Sequence, residues 1–541
     1  MAAEKVIETD VLVIGGGMAG CFAAVKAKEQ GVDVILVEKG YVSRSGSTPF
    51  CRGFNVCHPD WGHNLDASVE RLTTTGEYVN NRDWTRIIFE ESYARYQDLV
   101  AWGVEFSKDE NGKLITNHGD PKISETLQLP YGKFAHILRK QPEKSGVKIM
   151  DKIMITDLLK NDEKIVGAIG IAVESADLYV FKAKATIMCT GTTSFKPLAF
   201  PISMLTGDGE AVAYRAGVEI TGKEFNDCHP HGAENPAAFA AGYASMHRPG
   251  GTSGGMAAAV NAEGDELPGR PGVLFLNMEF EAHAGRAPIY RGTSDGKRSI
   301  SIGGAATGAS VHMGEGIWPL NMECASSLAG LYAAGDCCGI MQVGSVYAGG
   351  GLALPAAATS GTKAAVAAAK YAEKVEKPVV AEEEIARLKG MATAPLERKG
   401  GFSPAWVTQV LQNTVRPYFI LFVKKEDRMQ AALTMVEFMR DHLSPKMFAR
   451  DPHELRLAHE AKNMVLNAEM KLRASLFRTE SRGTHYREDY PRRDDPEWLA
   501  WVLLKEENGR MKAYKKPVPR EWWPDLSIPY EERYPARFPG E

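Results

Sequence analysis

Val11-Leu12-Val13-Ile14, then Gly15-Gly16-Gly17-Met18-Ala19-Gly20, then after a short helix Val34-Ile35-Leu36-Val37-Glu38: the architecture of the chain follows from this stretch. The first run is apolar and mostly β-branched, as a strand buried on both faces of a parallel sheet requires. Gly15, Gly17 and Gly20 stand at the G-x-G-x-x-G spacing. At that spacing the first glycine permits a tight turn and the second lets a pyrophosphate approach the backbone. The third lets the helix pack on the strand, with the helix N-terminus facing the phosphate charge. Small and apolar residues recur at helical spacing over 18–30, and Gly31 ends that helix. The second apolar strand stops at Glu38, about 20 residues past the glycines, where a carboxylate holds a ribose hydroxyl. Strand, glycines, helix, strand and acid within one ~30-residue unit predict a dinucleotide-binding βαβ unit; the glycines alone would be weak evidence.

The chain has 541 residues, enough for two to four domains with a sizeable core. Its 64 basic and 68 acidic side chains sum to a net charge of −4, so no global field argues for nucleic acid. The first strand begins within ten residues of Met1, which leaves no room for a signal peptide. No uninterrupted apolar segment is long enough to span a bilayer. The expectation is a cytoplasmic protein without direct membrane insertion, associated with a membrane at most through a partner. The eight cysteines form no C-x-x-C and no iron–sulfur ligand run, and no metal site is expected. Cys21, Cys189 and the pair Cys337-Cys338 read as packing residues.

Along the chain, Arg44-Ser45-Gly46-Ser47 lies in a polar turn-rich segment whose hydroxyls and amides suit an anionic ligand. Residues 66–102 read as two helices, 105–135 as loop, and 147–157 and 164–181 as short strands with a bend at Gly167–Gly170. Ala185 to Gly191 reads as a further strand ending in Thr190-Gly191. Thr206-Gly207-Asp208-Gly209 opens a helix from Glu210 to Ala216, stopped by Gly217, with Asp208 as its cap. Residues 224–320 are rich in glycine, histidine and proline and poor in amphipathic period, which predicts an inserted substrate domain with irregular walls. Leu331 to Asp336 repeats the strand–turn–acid pattern, and Gly349-Gly350-Gly351 then leads through Leu352 into an Ala-rich helix to about Lys374. Residues 378–478 are helical by period. Asp451-Pro452-His453-Glu454 is a capped start, and Leu455, Ala458, Ala461, Val465, Ala468, Leu472 and Leu476 form a bundle face. Residues 511–541 carry six prolines and read as an extended strap.

These pieces together resemble the flavoprotein subunits of the succinate dehydrogenase and fumarate reductase superfamily, with some likeness to the adenylylsulfate reductase branch. The matching residues are the N-terminal glycines with Glu38-Lys39, Ala185–Gly191, Thr206–Gly209, Phe225 to Pro230 and Leu331–Asp336. The most specific match is Glu480-Ser481-Arg482-Gly483-Thr484-His485-Tyr486-Arg487-Glu488-Asp489-Tyr490-Pro491. The resemblance implies an α/β fold: a Rossmann-like FAD-binding domain (1–223 and 330–376), an inserted α+β capping domain (224–329), a C-terminal helical domain (377–480), and a final domain with an extended tail (481–541).

The resemblance also implies site residues. FAD would be held by Gly15, Gly17, Ala19, Gly20, Glu38, Lys39, Arg44, Ser45, Gly46, Thr190, Gly191, Asp208, Asp336, Gly351 and Leu352. Gly46 follows Arg44-Ser45 where covalent members have a histidine, so FAD is expected to be non-covalent. His229 and His312 resemble the two pocket histidines. Arg286, in Ala284-Gly285-Arg286, resembles the arginine that protonates substrate carbon; an arginine is a poor acid in water, so this role comes from the resemblance. Tyr347 falls where the family has an arginine, and the family's Thr-Glu pair falls near Met246-His247. One carboxylate clamp is therefore expected to be missing, because tyrosine has no bidentate fork. The implied activity is an FAD-dependent reduction, or formation, of an activated C=C bond in a carboxylate or thioester. Electrons would come through an iron–sulfur or ferredoxin-like subunit, since no second dinucleotide fingerprint is present. The alternatives are adenylylsulfate-type sulfur chemistry and an electron-relay subunit.

Overall fold

The strand Glu4–Ile14 runs along the middle of a seven-stranded sheet and pairs in parallel on both sides. One neighbour is Val34–Glu38, itself parallel to Lys148–Asp151. The other is Leu178–Met188, which changes partner along its length. Its first half pairs antiparallel with Lys164–Ala172, and that strand pairs with Ile153–Asn161. Its last three residues pair in parallel with Leu331–Ala333. The computed structural model describes residues 3–118, 120–130, 134–197, 202–227, 230–232, 235–239, 259–267, 274–292, 298–305, 309–310, 314–347 and 351–541.

Val11, Leu12, Val13, Leu36 and Val37 are wholly buried, as a sheet covered on both faces requires. Helix Met18–Lys28 covers the sheet and lies against helix Ala353–Lys374, whose alanines allow the close approach. The two helices predicted over 66–102 are Leu65–Thr75 and Arg82–Ala101, capped by Asn64 and Asn81.

Several expectations are corrected. Residues 105–135 are not all loop: Glu125–Gln128 pairs with Gly53–Val56 and with Thr116–His118 in a small antiparallel sheet. Residues 147–157 form two strands separated by Lys152, whose φ of 63° turns the chain. The strand Lys164–Ala172 runs through Gly167 and Gly170 without a break, with one extra residue, Val166, beside Gly167 and another, Thr156, on the facing strand. Ala185 begins no new strand but lies inside Leu178–Met188. The segment from 224 is more regular than its composition suggested. Pro230–Gly232, Asn235–Phe239, Arg298–Ala305, Ile289–Gly292 and Ala259–Val260 form a five-stranded sheet, and Leu274–His283 is a helix.

The helical segment contains Glu382–Glu397, Pro404–Val415, Glu426–Phe438 and Pro452–Phe477, with a core of its own. Asp451 caps the last of these by accepting the Glu454 amide at 2.8 Å. The Glu454 carboxylate does not return to the Asp451 amide but takes the Arg450 amide. The end of the chain is a strap only in part, because Arg510–Pro517 pairs antiparallel with Ala500–Glu507. Ala500–Glu507 in turn pairs with Ile220–Thr221, which pairs with Gly316–Ile317.

Candidate functional site

The register brings four strand ends to one edge: Ile14 lies opposite Val37 and Met188, and Met188 opposite Ala333. The residues that follow these ends, Gly15 to Ala19, Glu38-Lys39, Thr190-Gly191 and Gly335-Asp336, line one cleft of about 1000 Å³. A crevice at the carboxyl edge of a parallel sheet is where such folds bind ligands.

The cleft is shaped for close backbone approach. Gly15 has φ +104°, and a Cβ there would meet the Cys189 carbonyl oxygen at 2.3 Å; at Gly20 a Cβ would meet the Gly15 carbonyl oxygen at 1.8 Å. Gly20 does not line the cleft; it seats the helix on the strand, as its place in the motif predicts. The helix cap Gly17 has no side chain, and the Met18 amide is taken by Thr48 Oγ1 at 3.0 Å. Glu38 accepts the Gly16 amide at 2.7 Å and the Gly40 amide at 2.8 Å, one on each carboxylate oxygen. Burial raises its pKa. Each oxygen keeps a lone pair and can accept one hydroxyl of a ribose diol beside a pyrophosphate. Ile153, Met154 and Ile155 give the same cleft an apolar wall.

Lys39 and Asp208 both line the cleft but are bound to each other at 2.7 Å. Lys39 also pairs at 2.9 Å with Glu460, which lies on helix Pro452–Phe477 and is held at about pKa 2 against its burial by Lys39, Lys196 and Arg456. Asp208 is not a cap: Gly207 takes that position, the helix begins at Asp208, and the carboxylate accepts from Lys39, Thr206 and Asn463. Ser45 and Gly46 line the cleft. Arg44 does not; it faces an adjoining cleft and reaches His136. Gly351 and Leu352 stand just ahead of the cleft-lining Ala353 and Leu354. Cys51 and Cys189 line the wall as protonated thiols: burial and then Asp336 push Cys51 up to about 12, and burial raises Cys189 well above its usual range. Cys337 and Cys338 are wholly buried.

Of the expected substrate-side residues, His229 and His312 lie outside the described residues, as do Met246-His247. Arg286 follows helix Leu274–His283 and makes a two-pronged pair with Glu281, at 2.6 and 2.8 Å. Asn261 donates to the same carboxylate at 2.9 Å. The pair raises the arginine pKa and lowers that of Glu281. Sequence reasoning missed Glu281, although a carboxylate one helical turn and a half from an arginine was a usable signal. Tyr347 packs against an apolar cluster that includes Phe225, Trp318, Val343 and Leu352.

The 480–491 motif is architectural. Arg482 holds Glu480 by two hydrogen bonds, Arg478 bridges Glu480 and Glu224, and Lys424 joins the Glu224 carbonyl to His485. It fastens the stem of the inserted segment to the helical segment. Among the described residues no His, Cys, Asp and Glu gather as a metal site, and no helix is long and apolar enough to cross a membrane.

Residues 10–284 match the family model for an FAD binding domain, and 409–534 match that for the fumarate reductase flavoprotein C-terminus. The chain is 27% identical to one of the subunits of the fumarate reductase (CoM/CoB) of Methanothermobacter marburgensis, over 93% of this chain and 98% of that protein. It is 25% identical to the fumarate reductase flavoprotein subunit of Mycobacterium tuberculosis, over 95% and 98%. Its fold is that of adenylylsulfate reductase from Archaeoglobus fulgidus, with a TM-score of 0.79 at 22% identity, covering 96% of this chain and 97% of that one. The glycine cradle and Glu38 have the shape and polarity that FAD requires, and the chain is an FAD-dependent oxidoreductase belonging to the fumarate reductase and succinate dehydrogenase flavoprotein family.

Proposed function

We propose that the protein reduces an activated C=C bond of a carboxylate or thioester substrate, fed with electrons by an iron–sulfur partner protein. FAD, bound without a covalent link because Gly46 offers no attachment atom, supplies the hydride. Arg286, by resemblance the proton donor, passes a proton to the adjacent carbon. His229 and His312 hold the activating carbonyl and stabilise the charge that develops on it. Tyr347, packed in apolar surroundings, replaces a carboxylate clamp with a flat, weakly polar wall. That favours a substrate with one activating carbonyl and an apolar remainder over a dicarboxylate such as fumarate.

The observation that supports the reading is the Arg286–Glu281 pair, which fixes the orientation of a guanidinium on the inserted segment, at the residue that resembles the family's proton donor. The relative from M. marburgensis, which belongs by name to a fumarate reductase, points the same way. The test is anaerobic reduction of the flavin followed by a panel of enoates, enoyl-thioesters and adenylylsulfate. Rapid reoxidation by an enoate or enoyl-thioester is expected. In Arg286→Ala the flavin stays bound while reoxidation slows by on the order of 10²–10⁴-fold, the usual worth of a general acid. Response to adenylylsulfate or sulfite alone overturns the reading.

A further inference from the structure

A chain of alternating acids and bases lies behind the cleft wall, and the chemistry above does not use it. Glu210 follows the cleft-lining Gly209 on helix Asp208–Ala216. Lys223 lies six residues before His229, and Glu315 three residues after His312. Lys471 comes from helix Pro452–Phe477. All four side chains are 0% exposed. Lys223 Nζ donates to Glu210 Oε2, to Glu315 Oε1 at 3.2 Å and to Asn467 Oδ1 at 2.8 Å. Lys471 Nζ donates to Glu315 Oε2 at 2.8 Å. Thr193 and Thr192 bond to Glu210 and Glu315. Glu210 Oε1 has no partner among the described residues.

This chain adjoins the cleft. Thr190, on the wall, donates to Cys337 Sγ at 3.1 Å, and the charge of Glu210 acts on that thiol. With all four groups ionised the charges cancel, so no surplus cation answers negative charge arriving in the cleft. In a dry interior such charge reaches far and raises the proton affinity of nearby carboxylates. The groups facing Glu315 are Glu210, Lys223 and Lys471, with Lys424 beyond Lys471. Burial already raises Glu315 above the usual carboxylate range and lowers Lys471. A purely structural plug is poorly served by buried charge, because apolar side chains of similar volume hold a core at least as well.

We infer that Glu210, Lys223, Glu315 and Lys471 form a buried proton store, in which Glu315 takes a proton from solvent when two electrons enter the flavin and gives it up toward the substrate side when they leave. The inference rests on the C=C reading for where the proton goes. Reducing a C=C bond consumes two electrons and two protons; one proton travels with the hydride and the other goes to the neighbouring carbon. The store holds the second and lies three residues along the chain from His312.

The test is a potentiometric titration of the purified holoenzyme across pH, reading protons taken up per electron pair from the slope of the flavin midpoint potential. Wild type is expected to take up about one proton more than Glu315→Gln. The double variant Glu315→Gln/Lys471→Met removes an acid and a base together and is read where the single variant does not fold; it too should lack the extra proton. Equal proton counts in wild type and in the variants overturn the store. If the extra proton is present but no enoate or enoyl-thioester reoxidises the flavin, the store stands and the C=C reading falls.

Discussion

Gly15 shows how much one position can demand. Its φ and its 2.3 Å approach to the Cys189 carbonyl leave no place for a side chain. Gly15→Ala is expected to cost about 1–3 kcal/mol of local strain and to release FAD. Flavin absorbance of the purified protein, compared with its thermal unfolding, separates loss of cofactor from loss of fold. Positions of this kind were legible in the sequence because their cause is local: a turn of fixed geometry between a strand and a helix. Lys39 was legible as a residue beside the glycine cleft but not in its bonding, since its partner Glu460 comes from a helix near the other end of the chain. Asp208 was misread for the same reason. A polar residue at a helix start looks like a cap when the lysine that claims it is distant in sequence. The Glu210–Lys471 chain follows the same rule, as its members come from distant parts of the sequence and meet only after folding.

Among elements, helix Glu382–Glu397 docks on helix Pro452–Phe477 partly through one imidazole. His459 is buried and donates Nε2–H to the Ala392 carbonyl at 2.9 Å. Burial lowers its pKa to about 4, so at neutral pH the ring is uncharged in the folded protein. The unfolded chain binds that proton near pH 6.5. The stabilisation is therefore complete above that pH and is lost as the pH falls toward 4, by on the order of 3 kcal/mol in all. His459→Gln should flatten the fall in stability between pH 7 and 5, as followed by urea unfolding; an unchanged slope would remove His459 from the account. Long helices were readable, Arg82–Ala101 from its period and Ala353–Lys374 from its run of alanines. The small sheet of Gly53–Val56, Glu125–Gln128 and Thr116–His118 was not, because its strands are short, pair across a wide gap and shift register. The sheet of the inserted segment was hidden likewise, with register shifts at Pro230 to Gly232.

For the molecule as a whole, the last residues close the structure. Tyr534 bonds to Asp495 and sits over Arg482, Phe538 stacks on Tyr486, and Glu541 pairs with Arg493, itself paired with Glu77. Deleting residues 530–541 should leave these buried arginines short of partners and lower the unfolding temperature by on the order of 5–10 °C, as seen by calorimetry. An unchanged temperature would make the tail a passive cover. The inserted segment has the opposite character. It leaves and rejoins the body through two adjacent antiparallel rungs, Asn226 opposite Ser310 and Asp227 opposite Ala309. Everything that builds the FAD cradle, and all four members of the buried acid–base chain, lie on the body side of those rungs. A two-residue turn from Asp227 to Ala309 would therefore bridge the gap and leave a redox body that keeps His312 and Tyr347 but lacks His229 and Arg286. On that view the two rungs are a graft junction, where a new specificity could be installed without rebuilding the electron-carrying half.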